Sequence, residues 1–127
     1  MVNQPRGELQ RDQYATTVMD YIALRAMGSA ALARASRGEA DTASVSVLKL
    51  FGSEAERQAL ENSLTAAGSD GLLHPSTTGP YAHMNLDHYF ASWFERYARS
   101  FGGTIAGGTS EIQRNIIAQQ VLGLPRR

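Results

Sequence analysis

The sequence contains no cysteine among its 127 residues. Disulfides, a nucleophilic thiol and cysteine-ligated metals are therefore excluded. The sequence also lacks any uninterrupted apolar run near the roughly 18 residues that a membrane-spanning helix needs. Its first seven residues lack the apolar segment of a signal peptide. We therefore expect a cytoplasmic protein without a membrane partner.

A surplus of either charge is also missing. Twelve basic and twelve acidic side chains cancel, and Lys49 is the single lysine among the basic residues. A nucleic-acid-binding protein needs a basic surplus on one face, so we expect no nucleic-acid partner. The 43% of hydrophobic residues is enough for a folded core. The length fits one domain and leaves too little room for a whole large cofactor enzyme.

No pattern of metal ligands is visible in the sequence. The three histidines, His74, His83 and His88, lie in or beside one long loop. No two of them are four residues apart and no carboxylate stands at a familiar ligand offset, so we predict no metal site. No serine has the strand-turn-helix setting of a hydrolase nucleophile either.

Three glutamates lie close to Arg57 in the sequence. They are Glu54, Glu56 and Glu61. Spacings of three and four residues allow ion pairs along one helix. We therefore interpret this group as a solvated helix face and not as a pair of acid–base catalysts.

Apolar side chains recur every three to four residues in four segments, which predicts an all-α protein of about four packed helices. The segments are residues 11–37, residues 41–67, a stretch that starts at Asp87, and residues 110–122. Gly38 and Gly123 are placed to end the first and the last helix. Glycine and proline interrupt residues 68–85 five times, so we predict a loop there.

The third segment carries an aromatic stripe, which is more typical of a core or an interface than of a cofactor site. Its members are Tyr89, Phe90, Trp93, Phe94 and Tyr97.

Residues 101–109 are rich in small side chains and precede the last helix. Ser110 and Gln113 have the spacing of a capping box at its start. The free N–H groups of such a helix start, approached through small residues, favour an anion. Glycine before a capped helix is also common where no ligand binds, and both interpretations stay open at this point.

A longer string at the end of the chain is more specific. Residues 107–118 read GGTSEIQRNIIA and residues 121–125 read VLGLP. This string resembles the C-terminal signature of flavin-dependent acyl-CoA dehydrogenases. The resemblance is strongest over residues 107–125, while the long alanine-rich first segment and the glycine-containing turn at residues 67–71 also fit the family.

Members of that family combine an N-terminal helical domain, a middle β domain and a C-terminal helical domain. The resemblance implies that residues 1–127 are the C-terminal domain, a four-helix up-and-down bundle, within a longer enzyme. It also implies the family's reaction, the α,β-dehydrogenation of acyl-CoA thioesters in fatty acid or steroid side-chain β-oxidation. A base removes the Cα proton while FAD accepts a hydride from Cβ.

The implied partners are an acyl-CoA substrate, an acceptor of the electron-transfer flavoprotein type, and further subunits of a homo- or hetero-oligomer. Thr109, Ser110 and Glu111 match the segment that contacts the FAD of the same subunit. Gly108, which precedes them, is implied to contact the substrate.

A second flavin contact is implied at the end of the second helical segment. Gly68 and Ser69 lie where the family has a Gln-x-x-Gly-Gly segment that contacts the ADP part of a neighbour's FAD. Gly68 fits that segment, whereas Ser69 replaces a glycine and Thr65 replaces the glutamine.

The position of the family's usual base departs from the pattern. In most members a glutamate, preceded by tyrosine, stands directly before the Gly-Thr pair, but here those positions are Gly107 and Ala106. Because glycine cannot accept a proton, we assign no catalytic residue in this chain and expect the isolated chain to be inactive.

Three alternatives follow from the missing base. The carboxylate could come from an upstream helix of a longer chain. The chain could instead be a non-catalytic subunit that pairs with a base-bearing partner, as in the two-subunit family members that act on steroid side chains. In the third alternative it is a free-standing helical interaction module that has lost the chemistry.

Overall fold

The computed structural model describes residues 7–39, 42–73 and 91–125. They form α1 (Glu8–Ser36), α2 (Thr42–Ala67), a 3-10 helix (Gly68–Leu72), α3 (Trp93–Ile105) and α4 (Ser110–Gln120). These residues contain no strand, which confirms the all-α prediction. The up-and-down order of a four-helix bundle stays a prediction, because residues 74–90 lie outside this description.

Helix α2 lies at the centre of the fold. It packs against α1, α3 and α4, and the 3-10 helix that follows it contacts both α2 and α3. Ser46 and Leu60 are the buried residues of α2. The positions of α3 and α4 therefore depend on the side chains of α2 that contact them.

Two glycines end helices as the sequence predicts. Gly38 follows α1 with φ +73° and donates its N–H to the carbonyl of Ala35, and Gly123 follows α4 with φ +65°. This left-handed conformation is costly for other residues. The observed bounds of α1, Glu8–Ser36, place its start three residues before the predicted one.

The start of α3 differs from the sequence prediction. Asp87 lies outside the described residues, as do Tyr89 and Phe90, and the helix begins at Trp93. Ser92 caps it: the Ser92 hydroxyl accepts from the Glu95 N–H at 3.1 Å, and the Ser92 N–H donates to the Glu95 carboxylate at 2.7 Å. This reciprocal capping box satisfies two N–H groups at once, and the sequence prediction missed it.

The end of α3 also differs. The helix continues through Gly102 and Gly103 to Ile105, so the first five residues of the small-residue stretch are helical. Trp93 and Phe94 are exposed on α3 and form no core with the other residues that the structure describes. An interface role for the aromatic stripe stays a prediction.

Helix α1 carries an apolar stripe that the other described residues leave exposed. It has no buried residue, and Tyr14, Val18, Tyr21 and Ile22 are all exposed. Spacings of three and four residues place these side chains along one face. Contiguous exposed apolar surface marks a contact with another protein or domain. Within the described residues, no helix combines the length and the apolar character needed to cross a bilayer.

Candidate flavin-binding turn

The candidate site is the turn between α3 and α4, residues 106–109, together with the first residues of α4. Two successive glycines bend the backbone here, with φ +69° at Gly107 and +102° at Gly108. A Cβ at Gly107 would meet no atom within 4 Å, whereas one at Gly108 would lie 2.9 Å from Gln113 Nε2. The turn is therefore open at Gly107 and tightly packed at Gly108.

Thr109, and not Ser110, caps α4. The Thr109 hydroxyl oxygen accepts a hydrogen bond from the Ile112 N–H at 3.3 Å. The predicted capping box of Ser110 and Gln113 is therefore wrong. Thr109 has the extended backbone that an N-cap requires (φ −61°, ψ 164°), while Ser110 is already the first helical residue.

Gln113 instead stabilises the turn from inside. Its side-chain amide donates to the carbonyl of Gly107 at 2.8 Å, and only 5% of Gln113 is exposed. A buried amide held by a backbone carbonyl fixes the local conformation, because breaking the bond would leave buried polar groups without partners.

Ser110 connects α4 to α2. Its hydroxyl donates to the Glu54 carboxylate at 2.6 Å, and Ser110 is 6% exposed. This hydrogen bond is the main cause that lowers the pKa of Glu54, and the positive charges of Arg57 and Arg114 lower it further, while burial opposes the shift. Glu54 is therefore held as a carboxylate.

The predicted ion pairs around Arg57 are present, with a correction. Arg57 Nε lies 3.6 Å from Glu54 and its Nη1 lies 3.4 Å from Glu61, at the expected spacings. Glu54, however, does not belong to a purely solvated face, since it also bonds Ser110 of α4. The sequence could not show this contact, because the two residues are 56 positions apart.

Lys49 is a second link from α2 that the sequence prediction missed. Its ammonium donates to the carbonyl of Gly108 at 2.6 Å and to the carbonyl of Thr104 at 3.3 Å. One signal was available: Lys49 stands between Leu48 and Leu50 in an apolar stretch. A lysine in such a setting packs its stem along the apolar surface and extends its charged end beyond it.

Glu111 points outward from the first turn of α4. Its side chain is 77% exposed and lies 3.4 Å from Arg114 in a surface ion pair. Thr109 and Glu111 are thus accessible to a ligand or to another chain, whereas the hydroxyl of Ser110 is taken by Glu54.

The second predicted flavin contact lies elsewhere. Gly68, with φ +58°, and Ser69 are both exposed in the 3-10 helix that follows α2. Gly68 follows Glu54 by fourteen residues, which corresponds to about 20 Å along a helix axis. The structure therefore does not bring Gly68 and Ser69 together with Thr109, Ser110 and Glu111.

No group of three potential metal ligands occurs in the parts of the chain that the structure describes. His74, His83 and His88 lie outside those parts.

The turn and its helices match a known protein family. The C-terminal domain model of the acyl-CoA dehydrogenases matches residues 6–122, from just before α1 to the end of α4. The chain belongs to the acyl-CoA dehydrogenase family. The resemblance of the GGTSEIQRN string is thereby confirmed, and the turn described above lies in the family's C-terminal domain.

Two curated relatives carry the name acyl-CoA dehydrogenase IpdE1. The protein from Mycobacterium tuberculosis H37Rv is 38% identical over 80 residues, which are 63% of this chain and 18% of the relative. The protein from Mycolicibacterium smegmatis is 60% identical over 37 residues, which are 29% of this chain and 9% of the relative. The chain thus spans a small part of each relative's length. No solved structure gives a significant match.

Proposed function

We propose that this chain is the C-terminal helical domain of an FAD-dependent acyl-CoA dehydrogenase, where it forms one wall of the flavin pocket and part of the oligomer core. The observation that carries this proposal is the family match over residues 6–122, which includes the turn before α4. FAD would supply the acceptor for the hydride that leaves Cβ of the acyl thioester.

The start of α4 offers two accessible residues for a flavin contact and one residue that is bonded to α2. Thr109 and Glu111 are accessible, and the N-terminus of α4 carries the partial positive charge that favours polar and anionic groups. The Ser110 hydroxyl is engaged by Glu54 at 2.6 Å. We therefore propose that Thr109 and Glu111 contact FAD and that Ser110 holds them in place.

Gly68 and Ser69 are proposed to contact the FAD of a neighbouring subunit. Their exposure and their distance along α2 from Glu54 are compatible with two separate flavin contacts. This arrangement needs an oligomer, and the exposed apolar stripe of α1 offers surface for it.

The proton acceptor must come from outside the described residues of the turn. Gly107 has no side chain, and its open surroundings hold no carboxylate within 4 Å of a Cβ. Glu54 is not suited to replace the missing base, because its lowered pKa and its bond to Ser110 stabilise the ionised form against proton uptake. We propose a base from an upstream helix or from a partner subunit.

Gly108 is proposed to face the acyl thioester through its backbone. A Cβ at Gly108 would lie 2.9 Å from Gln113 Nε2, so that a side chain there would displace Gln113. Electrons would pass to an acceptor of the electron-transfer flavoprotein type, and the enzyme would work in the cytoplasm.

An FAD titration followed by flavin absorbance, combined with acyl-CoA oxidation assays, tests the proposal. We expect that the 127 residues alone oxidise no acyl-CoA, and that FAD binding and turnover require the remaining domains of the family, whether they lie in the same chain or in a partner subunit. Turnover by the isolated chain would overturn the argument about the missing base.

The second candidate function is a non-catalytic helical subunit or interaction module, favoured by glycine at position 107. The mass in solution separates the free-standing module from the other possibilities, and acyl-CoA oxidation by the assembled enzyme separates a catalytic domain from a non-catalytic subunit. A stable monomer that binds no flavin and no homologous subunit supports the module, whereas assembly through the apolar stripe of α1 supports a domain or subunit of the enzyme.

A further inference from the structure

Two oppositely charged side chains of α2 hold the turn before α4. Lys49 donates to the carbonyl of Gly108 at 2.6 Å, and Glu54 accepts from the hydroxyl of Ser110 at 2.6 Å. We call Lys49 and Glu54 the α2 anchor pair. The two bonded residues enclose Thr109, so both sides of the N-cap are fixed to the same helix.

The charges of the anchor pair match the helix ends that they meet. Thr104 lies in the last turn of α3, where carbonyl groups lack helical partners and carry partial negative charge. Lys49 places its ammonium there, 3.3 Å from the Thr104 carbonyl. Glu54 places its carboxylate at the start of α4, which carries partial positive charge. Each charge is therefore favourable at its position, and exchanging them would not be.

The rest of the turn is held from within. Gln113 bonds the carbonyl of Gly107, and Thr109 bonds the Ile112 N–H. Glycine has the widest choice of backbone conformations of any residue type. Because Gly107 and Gly108 are adjacent, the turn needs hydrogen bonds from neighbouring side chains to keep one conformation. Lys49 differs from Gln113 and Thr109 because it lies on another helix and joins the end of α3, at Thr104, to the turn, at Gly108.

We infer that Lys49 is a positioning residue for this turn: its ammonium fixes the Gly108 carbonyl against the end of α3 and thereby sets where Thr109 and Glu111 stand. The consequence for flavin binding rests on the proposed function. The consequence for the turn itself does not, because it follows from the hydrogen bonds alone.

The variants Lys49→Met and Lys49→Arg test the inference, with Leu60→Val as the matched control. Methionine keeps an unbranched stem and removes the charge, and arginine restores a donor. Leu60 is buried in the same helix, and shortening its side chain destabilises the domain without touching the turn. The first readout is the amide NMR shift and hydrogen exchange of Gly107, Gly108 and Thr109 in the 127-residue chain. The second readout is the FAD dissociation constant of the enzyme that contains this domain together with the remaining domains of the family.

We expect Lys49→Met to shift these three amides and to speed their exchange, and to weaken FAD binding by about tenfold. Lys49→Arg should recover most of both losses, and Leu60→Val should lower the melting temperature without moving the three amides. If Lys49→Met leaves the amides unchanged, or if Leu60→Val moves them equally, the positioning role is overturned. If moved amides accompany unchanged FAD affinity, the positioning role stands and the flavin contact of the proposed function fails.

Discussion

The hydroxyl of Ser110 in α4 donates a hydrogen bond to the carboxylate of Glu54 in α2, at an oxygen–oxygen distance of 2.6 Å. The bond crosses between two helices and fixes the first residue of α4. Hydrogen bonds to charged groups are among the stronger ones in proteins. It follows that a position which the sequence presents as a helix cap serves instead as a tertiary contact.

Replacing Ser110 with alanine removes this contact. We expect Ser110→Ala to lower the free energy of unfolding by about 1 kcal/mol, because the partly exposed Glu54 recovers part of its hydration. Ser100→Ala is the matched control, since Ser100 is equally buried and, among the described residues, its hydroxyl donates to the Tyr97 carbonyl of its own helix. Equal losses in urea unfolding for the two variants would contradict a tertiary role for Ser110.

The lowered pKa of Glu54 makes stability depend on pH. The ordinary value is 4.5, and the folded value lies below it. The unfolded state therefore binds the proton more readily, so the contribution of Glu54 is fully present above about pH 4.5 and is lost as the pH falls through the folded pKa.

We expect the difference in unfolding free energy between the wild type and Glu54→Gln to become smaller as the solution is acidified below about pH 4.5. Urea unfolding of both proteins between roughly pH 3 and 7 measures this gap. A gap that stays constant or widens in acid would contradict the assignment of Glu54 as the stabilising carboxylate.

The two glycines of the turn should respond differently to alanine. Gly107→Ala meets open space and bears only the cost of a left-handed backbone, about 1 kcal/mol. Gly108→Ala bears a similar backbone cost and also places its Cβ 2.9 Å from Gln113 Nε2 and 3.3 Å from Ile112. We therefore expect a clearly larger loss of unfolding free energy for Gly108→Ala. Equal losses by thermal or urea unfolding would contradict the described packing.

The helices were predictable because their signals are local. The period of apolar side chains gave α2 its bounds to within one residue, and Gly38 marked the end of α1. The N-cap of α4 was assigned one residue too late because Thr109 and Ser110 are adjacent and both are good caps. The side chain that chooses between them, Glu54, belongs to another helix.

The site was predictable only where the family motif supplied it. The contacts of Lys49 with Thr104 and Gly108 span 55 and 59 positions. No periodicity of the sequence connects residues so far apart. A charged residue of α2 can also pair within its own helix, as Arg57 does with Glu61, so its charge alone does not predict a contact with another helix. The role of α2 in holding the turn therefore needed the three-dimensional structure.

The central claim is that the start of α4 belongs to a flavin pocket, and Glu111 offers its cleanest test. Glu111 is 77% exposed and its ion pair with Arg114 is a surface pair, so removing either partner should change the free energy of unfolding by less than about 0.5 kcal/mol. Arg114→Ala is thus a matched control that breaks the same ion pair from the other side.

The decisive measurement is the FAD dissociation constant of the enzyme that contains this domain together with the remaining domains of the family. We predict that Glu111→Ala weakens FAD binding by about tenfold and that Arg114→Ala leaves it within about twofold of the wild type. Unchanged affinity in Glu111→Ala, or equal weakening in both variants, would contradict a flavin contact at the start of α4.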